Sequence, residues 1–354
     1  MRVLAINPGS TSTKIAVYED DAELLRKSVE HDAAELGRYP RMGDQYDLRR
    51  GAVLRVLAEA SIPESSLSAA VGRGGFLPPL SSGAYLVNDA MVNRLATAPV
   101  VDHAANLAAP IALSIARPLG IPAFIYDSVA VDELEPIARL SGSAAIERRS
   151  LSHVLNMRAT AIRCARDLGR TYADCTFVVA HLGGGITLSV HRKGRIVDLV
   201  SDDEGPFSPE RSGSLPVKDV IRLCYEKDEA TVKRMLRGQG GLVSYLGTNS
   251  AMEVERRMDA GDERARLVYE AMAYQVAKSI GELATVVSGK VEATILTGGI
   301  ARSKPFVDWI AERVSFIAPV KVYPGENELE SLAQGALRVL RGEERAKEYV
   351  EAGL

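Results

Sequence analysis

Short apolar stretches that end in hydroxyl or glycine residues are the most regular pattern along the chain, and the first lies at the N-terminus. Residues 2–7 are mainly apolar, residues 8–12 are turn formers, and residues 13–18 are again rich in apolar side chains. Two strand-forming segments separated by a short turn predict an antiparallel β-hairpin.

A second hairpin with the same plan follows about 175 residues later. Residues 176–182 predict its first strand, the glycines at 183–185 its turn and residues 186–191 its second strand, and a third strand is predicted at 195–200. Two such hairpins, one near the start of each half, predict an α/β protein with two similar domains that face each other across a cleft.

Helical patterns alternate with short strands in the rest of the chain. Apolar runs at 123–126 and 293–297 predict strands, and the second leads to a helix capped by Ser303. Apolar residues at the helical period from Leu329 to Leu340 predict a final amphipathic helix. Further helices are predicted at residues 48–60, 89–96, 104–117, 157–168 and 262–288.

The composition is that of a globular protein with balanced charge. A chain of 354 residues with 46% hydrophobic and 25% charged residues is long enough for two domains and is unlike a disordered chain. The 43 Lys and Arg residues against 46 Asp and Glu residues give a net charge of −3, which provides no basic field for nucleic acid or an anionic membrane. We therefore expect small-molecule ligands.

The cysteines and the N-terminus bear on the compartment. Cys164, Cys175 and Cys224 are an odd number without a C-x-x-C pair, which predicts neither a disulfide framework nor a structural zinc site. The chain starts with a strand pattern instead of a signal-peptide core, and no apolar run reaches the roughly 20 residues of a membrane helix. We expect a cytoplasmic protein that does not cross a membrane.

The turn of the first hairpin is a candidate phosphate site. The sequence lacks both G-x-x-x-x-G-K-[ST] and a G-x-G-x-x-G between a strand and a helix, which excludes the two standard phosphate-binding loops. Residues 7–14 instead crowd an amide, four hydroxyls and Lys14 into one turn, and these groups can bind phosphate oxygens. Taken alone, this segment is equally consistent with an ordinary turn, because Ser and Thr favour turns.

Two further turns, at 181–185 and 297–300, also follow predicted strands directly. With these three turns the chain resembles the acetate and butyrate kinase family, in the superfamily of sugar kinases, heat-shock chaperone ATPases and actin. The resemblance runs nearly end to end, and the segment at 205–216 and the chain length are typical of butyrate-type members. The motifs are INPGSTSTK at 6–14, GRGG at 72–75, HAANLAAP at 103–110, AHLGGGITLSV at 180–190, GPFSPERSGSLP at 205–216, ILTGGIARS at 295–303 and YPGENELESLAQGALR at 323–338.

The resemblance implies two actin-like (ribonuclease H-like) ATPase domains, at 1–150 and 151–325, with a final helix within 326–354 that packs back on the first. It implies reversible phosphoryl transfer from ATP to butyrate or a branched short-chain acid, with Mg²⁺, giving acyl phosphate and ADP. It also implies a homodimer or higher homo-oligomer through the second domain, around the helix at 267–284. An acetate- or propionate-preferring kinase and a catalytically silent nucleotide-gated relative are the alternatives.

The resemblance assigns the phosphate and nucleotide contacts to the three turns. The resemblance implies that Asn7 contacts magnesium and phosphate, and an amide oxygen is a hard ligand suited to magnesium. The residues implied to bind the phosphoryl groups and the nucleotide are Ser10, Ser12, Lys14, His181, Gly183, Gly184, Gly185, Gly298, Gly299 and Ile300.

For the acid substrate, Arg73 is implied to hold the carboxylate, Gly74 to allow its close approach, and His103 to lie beside it. A surface arginine in a glycine turn is the alternative for Arg73, and a histidine at a helix start or in a core is the alternative for His103. Arg211 is implied to offset charge on the transferring phosphoryl group, or else to form a buried ion pair, and His153 to donate to the phosphoryl oxygens.

Two carboxylates complete the implied site. Asp127 matches the family's catalytic aspartate, but a carboxylic acid substrate is already ionised at neutral pH and needs no general base. We therefore expect Asp127 to orient Arg73 or a magnesium-bound water. Glu328 matches the family glutamate at the magnesium site, Glu326 is the alternative, and favourable charge at a helix N-terminus would explain either without a metal.

Five residues fall outside the family pattern. Ser250 and Met252 stand where relatives carry Asp and Arg that help to hold the adenosine, so nucleoside selectivity or affinity is expected to differ. Ser128 stands where butyrate-type members usually have proline. His31 and His191 match no motif, and their polar or hairpin surroundings predict surface residues.

Overall fold

The computed structural model describes residues 1–351, which form two compact units. The first unit contains Met1–Asp132 and the residues from Asn327 onward, and the second contains Glu133–Glu326. The sequence places the first boundary later, at 150. Residues 133–150 lie with the second unit because they bond to its strand at 195–200, where the Glu135 amide donates to the Val197 carbonyl at 3.0 Å.

Twelve strands and twelve α-helices cover the described residues. The strands are β1 (Arg2–Pro8), β2 (Ser12–Glu19), β3 (Ala22–Glu30), β4 (Ala69–Arg73), β5 (Ala84–Leu86), β6 (Ala123–Tyr126), β7 (Thr176–Leu182), β8 (Ile186–Arg192), β9 (Arg195–Val200), β10 (Ala293–Gly298), β11 (Val320–Pro324) and β12 (Lys347–Glu348). The helices are α1 (Ala33–Leu36), α2 (Tyr46–Glu59), α3 (Asp89–Thr97), α4 (Ala108–Ala116), α5 (Val154–Asp167), α6 (Val217–Glu226), α7 (Glu229–Leu236), α8 (Gly241–Leu246), α9 (Ala251–Asp259), α10 (Glu263–Val286), α11 (Lys304–Val314) and α12 (Glu328–Leu340).

A seven-stranded mixed sheet forms the first unit. Its strand order is β12-β5-β6-β4-β1-β2-β3, with β1, β2 and β3 antiparallel in sequence and β4 and β6 added parallel to β1. Apolar side chains of β1 and β2, such as Ile6 and Ile15, form one core with α2 and α4. The final helix α12 lies so close to β6 that a side chain at Gly335 would overlap the ring of Tyr126.

A five-stranded sheet forms the second unit, in the order β11-β10-β7-β8-β9. Strands β7, β8 and β9 are antiparallel in sequence, and β10 and β11 are added parallel to β7. The apolar face of α10 packs on this sheet, with Tyr269 and Met272 fully buried. In residues 1–351 no helix, including the 24-residue α10, has the length and apolarity to cross a membrane.

The two units share one arrangement of five strands, because β6-β4-β1-β2-β3 corresponds to β11-β10-β7-β8-β9. The α/β class, the two similar hairpins and the strand at 123–126 are thus confirmed. The predicted helix at 104–117 is instead divided into a 3₁₀ turn, α4 and a second 3₁₀ turn that ends at Gly120 with a φ of 65°. In both units the carboxyl ends of parallel strands lie at one sheet edge, where α/β proteins place their ligands.

The prediction that His31 and His191 lie on the surface is wrong. His191 is fully buried on β8, where its two ring nitrogens lie 2.8 Å from the Tyr172 hydroxyl and 2.8 Å from Ser189 Oγ. His31 is also buried, with Nε2 2.8 Å from Thr13 Oγ1. Burial lowers the pKa of both histidines, that of His191 to about 3, so a hydrogen-bonded neutral imidazole is accommodated in each core.

Candidate active site

The carboxyl ends of β1 and β4 bring Asn7 and Arg73 together with Glu328, the first residue of α12. Asn7 Nδ2 donates to Glu328 Oε2 at 2.7 Å, and Arg73 Nη1 donates to Glu328 Oε1. The side chains of Arg73 and Glu328 are 27% and 20% exposed, and Asn7 is buried. These three residues, the Asn7–Arg73–Glu328 cluster, are therefore linked through one carboxylate.

A cavity of about 330 Å³ lies beside this cluster. It brings together six of the sequence-predicted site residues within the first unit. Two cations, a hydroxyl and several apolar groups in one cavity are typical of a site for a small anion with an apolar part. The lining residues are Asn7, Pro8, Gly9, Ser10, Lys14, Arg73, Phe76, His103, Ala105, Val129 and Glu328.

The hairpin turn at 8–12 presents its side chains to this cavity unequally. Gly9 N donates to Ser12 O at 2.8 Å and closes the turn, while Ser10 and Lys14 stay exposed and line the cavity. Ser12 and Gly74 are not among the lining residues. Gly74 is instead required by packing, because a side chain there would have its Cβ 2.5 Å from Ser128 Cβ.

His103 enters the cavity with a defined protonation state. Its Nδ1 accepts a hydrogen bond from Ala105 N at 3.1 Å, and its ring packs edge-on against Phe76 with the centroids 5.3 Å apart. Burial, and then the positive charge of Arg73, lower the pKa of His103, so the ring is neutral at neutral pH. Since Nδ1 accepts, the proton lies on Nε2, and His103 can donate one hydrogen bond from that atom.

Asp127 follows β6 at the same sheet edge and is almost fully buried. Its backbone has a φ of 42°, and its Oδ1 accepts from Gly83 N at 2.7 Å. It is not among the residues that line the cavity, and an orienting role toward Arg73 or a bound water stays a prediction. Ser128 donates from Oγ to Gly75 O at 2.8 Å, so the serine hydroxyl holds this loop to the segment that follows β4, where a proline would offer no donor.

The glycine turn at 183–185 in the second unit lies beside His181 and Glu326. Gly183 N donates to Gly185 O at 3.2 Å, and His181 Nε2 lies 3.2 Å from Glu326 Oε1. A Cβ at Gly183 would lie 2.7 Å from that carboxylate oxygen and 2.9 Å from that ring nitrogen. A side chain at this position would therefore require Glu326 or His181 to move.

His153 and His181 form a stacked pair of rings. Their centroids are 3.9 Å apart, and the planes are inclined by 11°. His153 Nδ1 lies 3.0 Å from Thr187 Oγ1, and His181 Nδ1 lies 3.0 Å from Asn156 Oδ1. Because an amide oxygen only accepts, the Nδ1 of His181 carries a proton, and both rings are held in orientation through their Nδ1 atoms.

Arg211 lies against the glycine turn and is also part of an ion network around the buried Asp202. Its Nη1 bonds to the carboxylate of Asp202, which is nearly buried and also accepts from Arg237 Nη2 at 2.8 Å. A side chain at Gly185 would overlap the Arg211 guanidinium. Burial, and then the charge of Arg237, lower the pKa of Arg211 to about 10, which leaves it charged at neutral pH.

The turn after β10 is equally tight. Gly298 has a φ of 91°, and a Cβ there would overlap the carbonyl of Leu182, at the end of β7. Gly299 has open space around it, and Ile300 is buried in the following 3₁₀ turn. The turn therefore brings the ends of β7 and β10 together.

Two residues that position Arg211 and His181 in the second unit were not predicted from the sequence. Asp202 stands in an acidic run at 202–204, and Asn156 lies in α5. Asp202 lies a few residues before the 205–216 motif, and this proximity could have indicated an ion pair with Arg211. Ser250 caps α9 by accepting from Glu253 N at 3.3 Å, and Met252 is exposed, so the structure explains this serine locally.

A family model matches the second half of the chain. Residues 148–323 match the model of the acetokinase family. That segment is therefore similar to members of the acetokinase family. This match confirms the resemblance at the level of the family, without distinguishing butyrate-type members.

Solved structures similar to nearly the whole chain establish its fold. A crystal structure of Porphyromonas gingivalis acetate kinase has a TM-score of 0.78 and 18% identity, and the match covers 96% of this chain and 99% of the other. A propionate kinase from Francisella tularensis subsp. tularensis SCHU S4 has a TM-score of 0.72 and 17% identity, with coverages of 94% and 98%. An acetate kinase from Entamoeba histolytica has a TM-score of 0.74 and 14% identity, with coverages of 95% and 99%. The chain therefore has the α/β fold of these acetate and propionate kinases.

Proposed function

We propose that this chain is an ATP-dependent carboxylate kinase of the butyrate type. It transfers a phosphoryl group reversibly from ATP to a short straight or branched acid and produces an acyl phosphate and ADP. The observation that carries this proposal is the cavity in which the Asn7–Arg73–Glu328 cluster meets Lys14 and His103. The acetokinase match of residues 148–323 supports the reaction class, and the names of the similar acetate and propionate kinases support a short acid.

The cavity supplies what an ionised short acid requires. Arg73 has five N–H donors, of which the contact to Glu328 engages Nη1, so its guanidinium can also bind a substrate carboxylate. His103 donates a second hydrogen bond from Nε2. Phe76, Ala105 and Val129 supply apolar surface for the alkyl chain. The substrate oxygen is already an anion, so it attacks the phosphorus without prior removal of a proton.

The cavity volume is sufficient for an acid longer than acetate. About 330 Å³ is some eleven times the roughly 30 Å³ that a water molecule occupies in the liquid. Butyrate has only six non-hydrogen atoms, so it fits with space left for a phosphoryl group. Each added methylene that becomes buried contributes about 0.8 kcal/mol, so two of them should raise kcat/KM roughly 15-fold from acetate to butyrate.

Magnesium fits the same cluster through its donor set. Asn7 and Glu328 supply an amide and a carboxylate oxygen, and Mg²⁺ in phosphoryl-transfer sites takes one or two such ligands together with waters and phosphates. No group of three or more His, Cys, Asp or Glu in residues 1–351 could hold a metal by itself. The bound ion would offset the phosphate charge, and Asn7 and Glu328 would hold it.

The remaining residues are assigned to the phosphoryl groups and the nucleotide. Lys14 and Ser10 contact phosphate oxygens from the first unit. Arg211 and His153 offset the charge that develops on the transferring group, which is the main contribution a protein makes to phosphoryl transfer. The glycine turns at 183–185 and 298–299 allow the backbone to approach the nucleotide phosphates closely.

Initial rates with acetate, propionate, butyrate, isobutyrate and isovalerate test the proposal, with acyl phosphate trapped by hydroxylamine. Butyrate or a branched acid should have the highest kcat/KM. A maximum at acetate or propionate would identify the shorter-acid kinase instead. Absence of acyl phosphate with every acid, in a protein that binds ATP, would show a catalytically silent relative.

We also propose a homodimer in the cytoplasm, formed through the second unit. Helix α6 has no buried residue, and Val217, Ile221 and Tyr225, at successive four-residue spacing, are 71%, 52% and 90% exposed. Antiparallel pairing of two copies about a two-fold axis would cover this stripe and bring the Lys218 end of one helix to the Glu226 end of the other. Three unpaired cysteines in the described residues support a reducing compartment.

Light scattering on two variants tests whether the dimer interface is the exposed stripe of α6 or the helix at 267–284. Most of α10 is buried in the second unit, and its exposed apolar residues include Leu267 and Tyr274. Tyr225→Lys should convert a dimer into a monomer of about 38 kDa, whereas Leu267→Lys should leave the dimer intact. The reverse result would assign the interface to α10.

A further inference from the structure

The phosphate turn of the first unit is held from the protein interior by Arg49 of α2. Arg49 is 0% exposed and is the largest fully buried side chain in residues 1–351. Its Nη2 donates to the carbonyl of Ser10 at 3.1 Å, and its Nη1 donates to the carbonyl of Ser12 at 2.9 Å and to Thr13 Oγ1 at 3.2 Å. Nε and Nη2 donate to Gln45 Oε1 at 3.0 and 2.8 Å. All five N–H groups of the guanidinium are thus accounted for.

None of these hydrogen-bond acceptors is a carboxylate. The four oxygen atoms are two backbone carbonyls, a hydroxyl and an amide, all uncharged. Burial lowers the pKa of Arg49, which shows how unfavourable its surroundings are for charge. Apolar side chains of similar volume often stabilise a core as well as buried ionic groups do, so packing alone does not account for an arginine here.

The hydrogen bonds of Arg49 determine which way the turn faces. A trans peptide group is planar and its C=O and N–H point in opposite directions, so the inward carbonyl of Ser10 turns the N–H of Thr11 away from Arg49. His31 reinforces the arrangement, because its backbone N–H donates to Thr11 O at 2.9 Å. Ser10 and Lys14 are thereby left exposed on the cavity lining.

We propose that Arg49 is a positioning residue for phosphate: it holds the carbonyls of the turn inward and places a fixed positive charge directly behind a site for the polyphosphate of a nucleotide. It does not touch the reacting atoms. Preorganised charge and dipoles in a site of low polarity stabilise an anion more strongly than groups that must reorient. This inference rests on the proposed function, because it assigns the anion at the turn to the nucleotide.

The test compares Arg49 with its neighbour Arg50. Arg50 belongs to the same helix, but its Nε donates to Ser114 Oγ at 3.1 Å, away from the turn. The variants are Arg49→Lys, Arg49→Met, Arg50→Lys and Arg50→Met. Hydrogen exchange of residues 7–14, tripolyphosphate binding by calorimetry, and kcat and KM well below the melting temperature are measured on each full-length protein.

Arg49→Lys should raise the exchange rate of residues 7–14 at least tenfold, weaken tripolyphosphate at least fivefold and lower kcat at least tenfold, with the KM for the acid nearly unchanged. Arg49→Met should have larger effects on exchange, tripolyphosphate binding and kcat, because it also removes the charge. Both Arg50 variants should resemble wild type. If the Arg49 variants do not fold, Gln45→Met removes two of the five hydrogen bonds and should give a graded effect of about threefold.

Three results would overturn the inference. Unchanged exchange and tripolyphosphate binding in Arg49→Lys would remove Arg49 from the turn. Faster exchange or a lower melting temperature with unchanged kcat and anion binding would make Arg49 a structural residue only. Equal losses in the Arg50 variants would show a general effect of changing α2. A wild-type protein without activity on any acid would reject the proposed function, while exchange and tripolyphosphate binding would still decide the role of Arg49.

Discussion

Replacing Glu328 with glutamine is the most direct perturbation of the proposed site. The carboxylate of Glu328 accepts from Asn7 Nδ2 at 2.7 Å with one oxygen and from Arg73 with the other. Glutamine has nearly the same size but only one accepting oxygen and no charge. Glu328→Gln therefore keeps the packing of α12 and removes one of the two contacts and the charge beside Arg73.

The size of the effect follows from these contacts. A hydrogen bond to a charged group contributes about 1.5–3 kcal/mol, and the lower end applies because Arg73 and Glu328 are 27% and 20% exposed. Loss of this bond and of the proposed charged magnesium ligand should together raise the barrier by roughly 2–4 kcal/mol. That corresponds to a fall in kcat/KM of about 30- to 1,000-fold, since each factor of ten requires about 1.4 kcal/mol.

Glu330 provides the matched control. It is also an acidic residue in the first turn of α12, so Glu330→Gln changes the charge at the helix N-terminus equally. That charge contributes only about 0.3–1 kcal/mol. Acyl phosphate formation is measured over a range of Mg²⁺ concentrations for both variants. Glu328→Gln should require more Mg²⁺ and lose turnover, and equal rates in the two variants would refute the assignment of Glu328.

Further predictions concern charge, acid stability and backbone conformation. Arg73→Ala and Arg211→Ala should each lower kcat at least about 100-fold, and lysine should rescue poorly because it lacks the planar two-point contact; near wild-type turnover would exclude the residue from the site. The pKa of His191 is about 3 in the folded state and 6.5 in the unfolded state, so stability is full above pH 6.5 and falls toward pH 3 as the unfolded chain takes up the proton. About 1.6 kcal/mol should be lost between pH 6.5 and 5, and urea titrations of His191→Gln should lack that slope. Gly298→Ala should destabilise by about 2–3 kcal/mol in thermal unfolding, because its φ is 91° and the added Cβ meets Leu182 O; an unchanged melting temperature would contradict this.

The elements that the sequence predicts well are those that local chemistry determines. Both hairpins lie where the alternation of strand formers and turn residues predicts them, and β6 has the predicted bounds of residues 123–126. The period of apolar residues also identifies α12, which begins at Glu328. In each case the signal lies within a few residues of the element itself.

Arg49 is a residue that the pattern of apolar positions marks as unusual but that a search for motifs does not find. The buried residues of α2 are Arg49, Ala52, Val53, Val56 and Leu57, so the arginine lies on the apolar face of its helix. A charged residue at such a position requires buried partners. The pattern could therefore indicate that Arg49 is unusual, but it could not name the turn at 8–12, 37 residues earlier, as its partner.

Only the tertiary structure decided which polar residues meet. Asn7 and Glu328 are 321 positions apart, and they bond because β1, β4 and the start of α12 converge at one edge of the first sheet. Glu326 and Glu328 are equivalent in the sequence, yet Glu328 bonds to Asn7 and Arg73 while Glu326 lies beside His181. Local sequence determined the strands, turns and helix that carry these groups. The pairing of distant strands, which depends on packing across the whole sheet, determined which carboxylate joined which partner.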